Sequence, residues 1–384
     1  MEYFLTEQQQ MLKELAHKVA EEKIRPVAAE YDREGKFPWD IVNVFKELGF
    51  FGTYIPEEYG GFGGGIMDLV IMVEELSRAC GGISLALAGT ALGTYPIMLS
   101  GSEAQKKKYL PDLAAGKYLA AYCLTEPGAG SDAGAIKTRA VKDGDSYILN
   151  GTKHFITNGS VAGLYTVFAS TDPSRGMRGI SAFLVEDGTP GLSFGKKEDK
   201  LGIRASTTSE VVLEDCRIPA ENLLGKPGRG FRTAMETFDR TRPGVAAQAL
   251  GIAQGALELA LQYTKERHQF GMPISSFEAT QFKLADMATK IVAARGLVYG
   301  AAKTADAGTQ KDISRESAMA KLFASDTAMY VTTEAIQLYG GYGYMKDYPI
   351  EKYFRDAKIT QIYEGTNEIQ RLVIGRDIVK KGVY

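Results

Sequence analysis

The spacing of apolar residues changes twice along this chain. From residue 1 to about 117 they recur every three or four positions, the period of helices buried on one face. Met11, Leu12, Leu15 and Val19 share such a face, and Thr6 with Gln9 predicts a capping box ahead of them. Pro26 disturbs that helix or starts a new segment. Residues 38–48 open on proline and are followed by Gly49, a frame for another helix. After the glycine-rich loop at 59–65, helical patterns resume over 66–79, 83–100 and 103–115.

Near residue 118 the texture becomes short, β-branched and aromatic. The runs 118–124, 146–157, 164–170, 180–186 and 209–215 predict strands. Asp143-Gly144 and Asn150-Gly151 both suit type I′ hairpin turns. No helical crossover separates the runs, so the expected sheet is antiparallel and barrel-like. The helical period then returns to the end, with long alanine-rich segments at 244–266, 277–306 and 315–339. Short links between them favour an antiparallel four-helix bundle. The expected architecture is α+β and multidomain: an N-terminal helical domain (1–117), a central β-domain (118–228) and a C-terminal helical bundle (229–384). A chain of 384 residues is too long for one simple core.

Charge narrows the partners. Lys and Arg number 45 against 47 Asp and Glu, a net charge of -2, so no global field gathers nucleic acid. A phosphate-bearing ligand must be held by a few placed groups. Cys80, Cys123 and Cys216 are far apart, which argues against a disulfide framework or zinc site and fits a reducing compartment. His17, His154 and His268 are too scattered for an imidazole site, so no metal is expected. No signal-peptide pattern opens the chain. The longest apolar runs are broken by Gly, Pro or charge, so no membrane span is expected. The expected location is the cytoplasm, or the mitochondrial matrix for a mature form.

Six segments could carry chemistry. The loop 122–132 (YCLTEPGAGSD) follows a strand and offers glycines, Thr125 and Ser131 to a flavin edge or pyrophosphate, or is simply a β-turn. Residues 153–159 (KHFITNG) end a strand in Thr157 and Asn158, polar groups that also suit a plain Asn-Gly turn. Residues 238–244 put two arginines near a helix start, where they could grip phosphate or merely pair with Asp239. Residues 266–273 leave Arg267 and Gln269 at a helix end, which dipole pairing alone explains. The glycines of 337–344 (QLYGGYGY) either cap a helix or admit a dinucleotide phosphate. In 362–370 (IYEGTNEIQ), Thr366 is a good N-cap and Gly365 permits a bend that turns Glu364 inward. An apolar surrounding would raise that carboxyl and make it a usable base; otherwise it is simply an acidic residue near a helix N-terminus.

In this order and spacing, YCLTEPGAGSD, FITNG, FDRTRP, ERHQFG, QLYGGYGY and IYEGTNEIQ resemble the acyl-CoA dehydrogenase family over essentially the whole chain, in its short- and medium-chain branch. The resemblance implies FAD between the β-domain and the C-terminal bundle, and Glu364 as the base that removes the α-proton while the β-hydride goes to flavin N5. Tyr122, Leu124, Thr125, Ser131, Phe155 and Thr157 would meet the FAD, as would Thr366 and Glu368. Arg267, Gln269, Phe270, Gln337 and Gly341 would hold the FAD of a neighbouring subunit, which implies a homotetramer built as a dimer of dimers. Ser131, Asp239, Arg242, Tyr363, Gly365, Ala88 and Leu92 would contact the acyl-CoA. An electron-transfer flavoprotein would take the electrons.

Some branches carry the base on the helix near FDRTRP; the matching residue here is Thr241, which cannot serve. Phe155 stands where many members carry Trp. Residues 83–96 would line the acyl pocket, with Ile83 where glutaryl-type members place Arg. The expected tail is therefore uncharged: short, medium, branched or cyclic. The same fold also serves acyl-CoA oxidases and other flavoproteins, which oxygen consumption would separate.

Overall fold

The structure is a computed structural model that describes residues 3–308 and 312–383. Helices α1 (Glu7–Val19), α2 (Ala28–Glu34), α3 (Trp39–Glu47), α4 (Ile66–Ala79), α5 (Gly81–Ser100) and α6 (Glu103–Ala114) form the N-terminal part. The capping box is reciprocal: Thr6 Oγ1 accepts from Gln9 N, and Gln9 Oε1 accepts from Thr6 N. Pro26 falls in the turn between α1 and α2. Gly49 takes φ 71°, the left-handed stop expected after α3.

Eight strands follow: β1 (Ala120–Cys123), β2 (Arg139–Asp143), β3 (Ser146–Thr157), β4 (Leu164–Ser170), β5 (Ile180–Glu186), β6 (Leu192–Lys197), β7 (Thr208–Pro219) and β8 (Leu223–Leu224). Their order is β6-β7-β3-β2-β4-β5-β8, with β1 beside β4. The sheet is mixed and does not close, where an antiparallel, barrel-like one was expected. β1 runs parallel to β4, and β2 meets β4 in parallel at its end. The β2–β3 hairpin and its flanking loops carry the chain across, doing the work assigned to a helix. A hairpin turn forms here but one residue later than expected: Asp143 pairs with Ser146, so Gly144 and Asp145 are its central residues, and only Gly144 has the positive φ that a type I′ turn needs at both. Asn150-Gly151 is not a turn. It lies within β3 at a register shift against β7, with Asn150 bonded to the Asp215 backbone N–H.

β4 is buried throughout because both its faces are covered. Leu164 and Phe168 join the core shared with the helices, while Tyr165, Val167 and Ala169 face a second core within the β-domain. β1 divides in the same way, Ala120 and Tyr122 against Ala121 and Cys123. This double burial fixes β1, and the loop after it, against the helices.

The last part contains α7 (Gly230–Glu266), a small hairpin of β9 (His268–Gln269) and β10 (Met272–Pro273), then α8 (Glu278–Ala307), α9 (Ser314–Tyr339), α10 (Ile350–Ile359) and α11 (Asn367–Lys381). α7, α8 and α9 pack on one another, α10 packs on α7 and α9, and α11 on α9. α7 begins well before the expected position and runs through Pro243, so Asp239 and Arg242 sit mid-helix with no free helix N-terminus beside them. Pro243 leaves the Asp239 carbonyl without its helical donor, and Ser317 Oγ fills that role at 2.5 Å. By length and composition α5 and α7 could cross a membrane, contrary to expectation; both run through their Gly and Pro, and both are largely buried core helices.

Candidate active site

A cavity of about 120 Å³ lies where α5, the ends of β1 and β3, α7 and the α10–α11 loop converge. It brings together Ala88, Leu92, Tyr122, Thr125, Phe155, Thr157, Tyr363 and Glu364, drawn from three of the six segments and the α5 stretch. Leu69, Leu85, Val245 and Phe238 complete its apolar wall. Glu364 is the only carboxyl group among the described lining residues, and none of them is Lys or Arg. Ile83 is buried in the helical core and takes no part in the lining.

Glu364 stands on a strained turn. Its own φ is 50° and that of Gly365 is 94°. A side chain at Gly365 would meet Gln370 Nε2 at 2.8 Å, and that amide holds the Gly365 carbonyl at 2.7 Å. Thr366 caps α11 as expected, its hydroxyl accepting from Ile369 N at 3.3 Å. The carboxylate is thus presented from the start of a capped helix, on a bend that only Gly365 tolerates.

Thr241 Oγ1 donates to Glu364 Oε2 at 2.7 Å. Burial pushes the Glu364 carboxyl up to about 7, while the Thr241 hydroxyl, Arg242 and Lys321 pull the other way. A carboxyl poised near neutrality in an apolar cavity can take and return a proton at physiological pH. Tyr363 OH bonds Gln248 Oε1, and Gln248 Nε2 donates to the Gly81 carbonyl at 2.7 Å. This chain ties the loop to the start of α5 and closes one side of the cavity.

Arg242 is buried on α7. Its guanidinium pairs with Asp239 at 3.2 Å and donates through Nε to the Glu364 carbonyl at 3.2 Å. Asp239 also accepts from Ser314 Oγ at 2.6 Å. Two of the seven residues given to the acyl-CoA by sequence are therefore engaged here: Arg242 holds the Glu364 turn and Asp239 holds Arg242.

Leu124 is buried beneath the loop that carries Thr125, whereas Ser131 is exposed on it. The sequence reading missed what anchors this loop. Lys153 is fully buried and donates to Glu126 Oε1 at 2.7 Å and to the Leu124 carbonyl at 3.2 Å. Glu126 also accepts from Lys137 N, Thr138 N and Thr138 Oγ1. A lysine at an inward place of β3 was the available signal. Phe155 takes φ 57° with its ring 61% exposed, and lines the cavity with Thr125 and Thr157. An exposed aromatic face flanked by two hydroxyls, with open space over Gly128 and Gly130, fits a flavin ring and its phosphates.

Arg267, Gln269, Phe270, Gln337 and Gly341 lie outside the cavity, all exposed. They form one neighbourhood, because the Arg267 guanidinium lies 5.5 Å from the Tyr342 ring centroid. Phe270, at φ 53°, is 92% exposed at the tip of the β9–β10 hairpin. Glu368 is exposed in the first turn of α11.

Three family models match the chain in order: the acyl-CoA dehydrogenase N-terminal domain at residues 6–117, the middle domain at 121–216 and the C-terminal domain at 228–379. An acryloyl-CoA reductase (NADH) of Anaerotignum propionicum is 51% identical over 99% of this chain and 97% of its own. The solved butyryl-CoA dehydrogenase of Megasphaera elsdenii superposes with a TM-score of 0.95 at 49% identity, covering 99% of this chain and 100% of that one. A chain in the structure described as the electron transferring flavoprotein of Acidaminococcus fermentans gives a TM-score of 0.97 at 53% identity, with coverage of 99% and 100%. The chain belongs to the acyl-CoA dehydrogenase family of FAD-dependent oxidoreductases.

Proposed function

We propose that the protein desaturates a short, uncharged acyl-CoA between Cα and Cβ, with Glu364 as the base. The observation that carries this reading is a lone carboxyl in an apolar cavity, pushed to about 7 and held by Thr241. When bound, FAD supplies the two-electron acceptor for the β-hydride. The chain's own residues do the rest. Thr125, Thr157 and Phe155 would hold the flavin ring and Ser131 the pyrophosphate. The Glu364 N–H polarises the thioester carbonyl, which acidifies the α-proton, and the Glu364 carboxylate takes that proton. The same group, once protonated, returns a proton to Cα in the reverse direction, which suits the relationship to an acryloyl-CoA reductase.

The short tail is supported by the Gln248–Tyr363 closure and the butyryl-CoA dehydrogenase relative. The lack of a lining cation speaks against a second carboxylate, whose burial unpaired would be costly. The exposed residues from Arg267 to Gly341 suit the FAD of a second copy in a homotetramer, and an electron-transfer flavoprotein suits as electron partner. The test is anaerobic titration of the FAD-loaded protein with acyl-CoAs of rising length, plus isobutyryl, cyclohexanecarboxyl and glutaryl thioesters. Bleaching of the flavin by butyryl-CoA in wild type but not in Glu364→Gln is the expected result. Bleaching by glutaryl-CoA alone would overturn the assignment of the pocket. Rapid oxygen consumption with acyl-CoA alone would favour an oxidase.

A further inference from the structure

Lys321 is a buried lysine in the stripe of α9 that also carries Ser317, Ala324 and Ala328. A lysine stem with its ammonium in a protein interior is costly unless its donors are used. Here they are used on the loop that carries the base. Lys321 Nζ donates to the Gly365 carbonyl at 2.9 Å and to Asn367 Oδ1 at 2.9 Å. Asn367 is fixed in turn, its Nδ2 donating to Ser325 Oγ at 2.9 Å and Asp326 Oδ1 at 2.7 Å. On the other side of the loop Arg242 Nε donates to the Glu364 carbonyl at 3.2 Å. Two successive carbonyls of a left-handed turn are thus held by two buried cations from two different helices.

We propose that Lys321 is a positioning residue for the base: with Arg242 it grips the Glu364–Gly365 turn, keeps its strained backbone in place and aims the carboxylate into the cavity. This rests on the reading of Glu364 as the base. A carbonyl gripped by a fixed donor cannot flip its peptide, so the direction of the adjoining N–H groups is set as well. Gln370 Nε2 also donates to both carbonyls, at 3.2 Å and 2.7 Å, so loss of the ammonium loosens the turn and the aim of the carboxylate without freeing it.

The ammonium also acts through its charge. The groups facing Glu364 are Arg242 on α7, Tyr122 on β1, the adjacent Tyr363, and Lys321 on α9; Asp239 faces Arg242, and Asp326 and Glu368 face the lysine from α9 and α11. Lys321 and Arg242 are the cations of that set, and both favour the ionised base. Burial brings the lysine itself down to about 7 while Glu364 holds it up, so the two groups titrate together.

Lys321→Gln keeps a donor and removes the charge, and Lys321→Met removes both. With FAD retained, kcat for butyryl-CoA is expected to fall about tenfold in the glutamine variant and further in the methionine variant, with KM little changed. The acidic limb of kcat/KM is expected to move up by about one pH unit in both. A merely structural lysine would lower activity without moving that limb. If Lys321→Met does not fold, Lys321→Gln and Asn367→Ala, which loosens the lysine without removing it, carry the test through kcat. Wild-type kcat and an unmoved limb in Lys321→Gln, alongside an inactive Glu364→Gln, would overturn the proposal and leave the base in place. An active Glu364→Gln would overturn both.

Discussion

Thr241 Oγ1 donates to Glu364 Oε2 across 2.7 Å, so the α7 residue that the resemblance matches to the base position of other branches here bonds the carboxyl proposed as the base on the α10–α11 loop. The hydroxyl favours the ionised carboxylate, opposing the burial that holds Glu364 near 7. Thr241→Val keeps the shape and removes the donor. Glu364 then rises further, and the acidic limb of kcat/KM moves up by about one pH unit. Rates should meet those of wild type well above pH 8 and fall behind most near pH 6. An unmoved limb would mean that this hydrogen bond is absent in solution.

Glu364→Gln separates chemistry from stability. Removing a general base should lower the rate of flavin reduction by about a thousandfold. The folded-state carboxyl is raised above its ordinary value, so it stays protonated while the unfolded chain ionises as pH rises from 4.5 toward 7. Wild type therefore loses stability across that window, and the glutamine variant does not. Near pH 8 the variant should be more stable by about 1–3 kcal/mol, and near pH 4.5 the two should match. Denaturant unfolding at the two pH values reads this directly.

The buried pair Lys153–Glu126 gives a third expectation. Lys153→Met strands a carboxylate, and loss of one partner of a buried pair costs about 3–5 kcal/mol. The Leu124 carbonyl loses its donor at the same time, so FAD should be retained less well. Replacing both partners, as in Lys153→Met with Glu126→Leu, should recover part of the stability but not the loop geometry. Burial tends to raise Glu126, yet Lys153 and the Lys137 and Thr138 donors hold it below the ordinary range. The pair's stabilisation is accordingly present above the usual glutamate range and lost as the solution is acidified through the folded-state value. Thermal unfolding with flavin release as a second signal checks both statements.

These groups mark where the sequence was readable. Thr6 with Gln9, Gly49 after α3, and Thr366 before α11 were visible because a cap depends on residues three or four apart. Glu364 was visible because a glycine and an N-cap frame it. β2 and β6 were not, since most of their residues are exposed and show no apolar alternation. Asn150-Gly151 reads the same as a turn or a bulge, and only the partner strand decides. Pro243 looked like a helix start because the Ser317 hydroxyl that satisfies the freed carbonyl comes from α9. Glu126, Lys153, Gln248 and Lys321 draw their meaning from partners far along the chain. Local pattern carries no such information, although a lysine on a buried stripe is a flag.

Leu92 lines the cavity from α5 and tests what limits the acyl tail. Leu92→Ala opens space beside Ala88, and the preferred chain should lengthen by about two carbons, consistent with the area a truncated leucine leaves. Activity toward butyryl-CoA should fall as contacts are lost, while hexanoyl-CoA gains. An unchanged profile would put the end of the acyl tail elsewhere in the cavity, with Leu69, Leu85 and the Gln248–Tyr363 closure as its remaining walls.

The β9–β10 hairpin holds the last expectation. Phe270 sits at its tip with a strained backbone and almost its whole ring in solvent, an arrangement a single copy gains nothing from. Covering that ring with a second copy would explain it, and would bring Arg267 and Gln269 to the neighbouring FAD. Phe270→Asp leaves the cavity and the Glu364 turn untouched. It should shift the protein to smaller assemblies in sedimentation and weaken FAD retention about tenfold or more, because the cofactor then has only one subunit to hold it. Full assembly with normal FAD binding in this variant would remove the hairpin from the intersubunit site and leave its exposed phenylalanine to another partner.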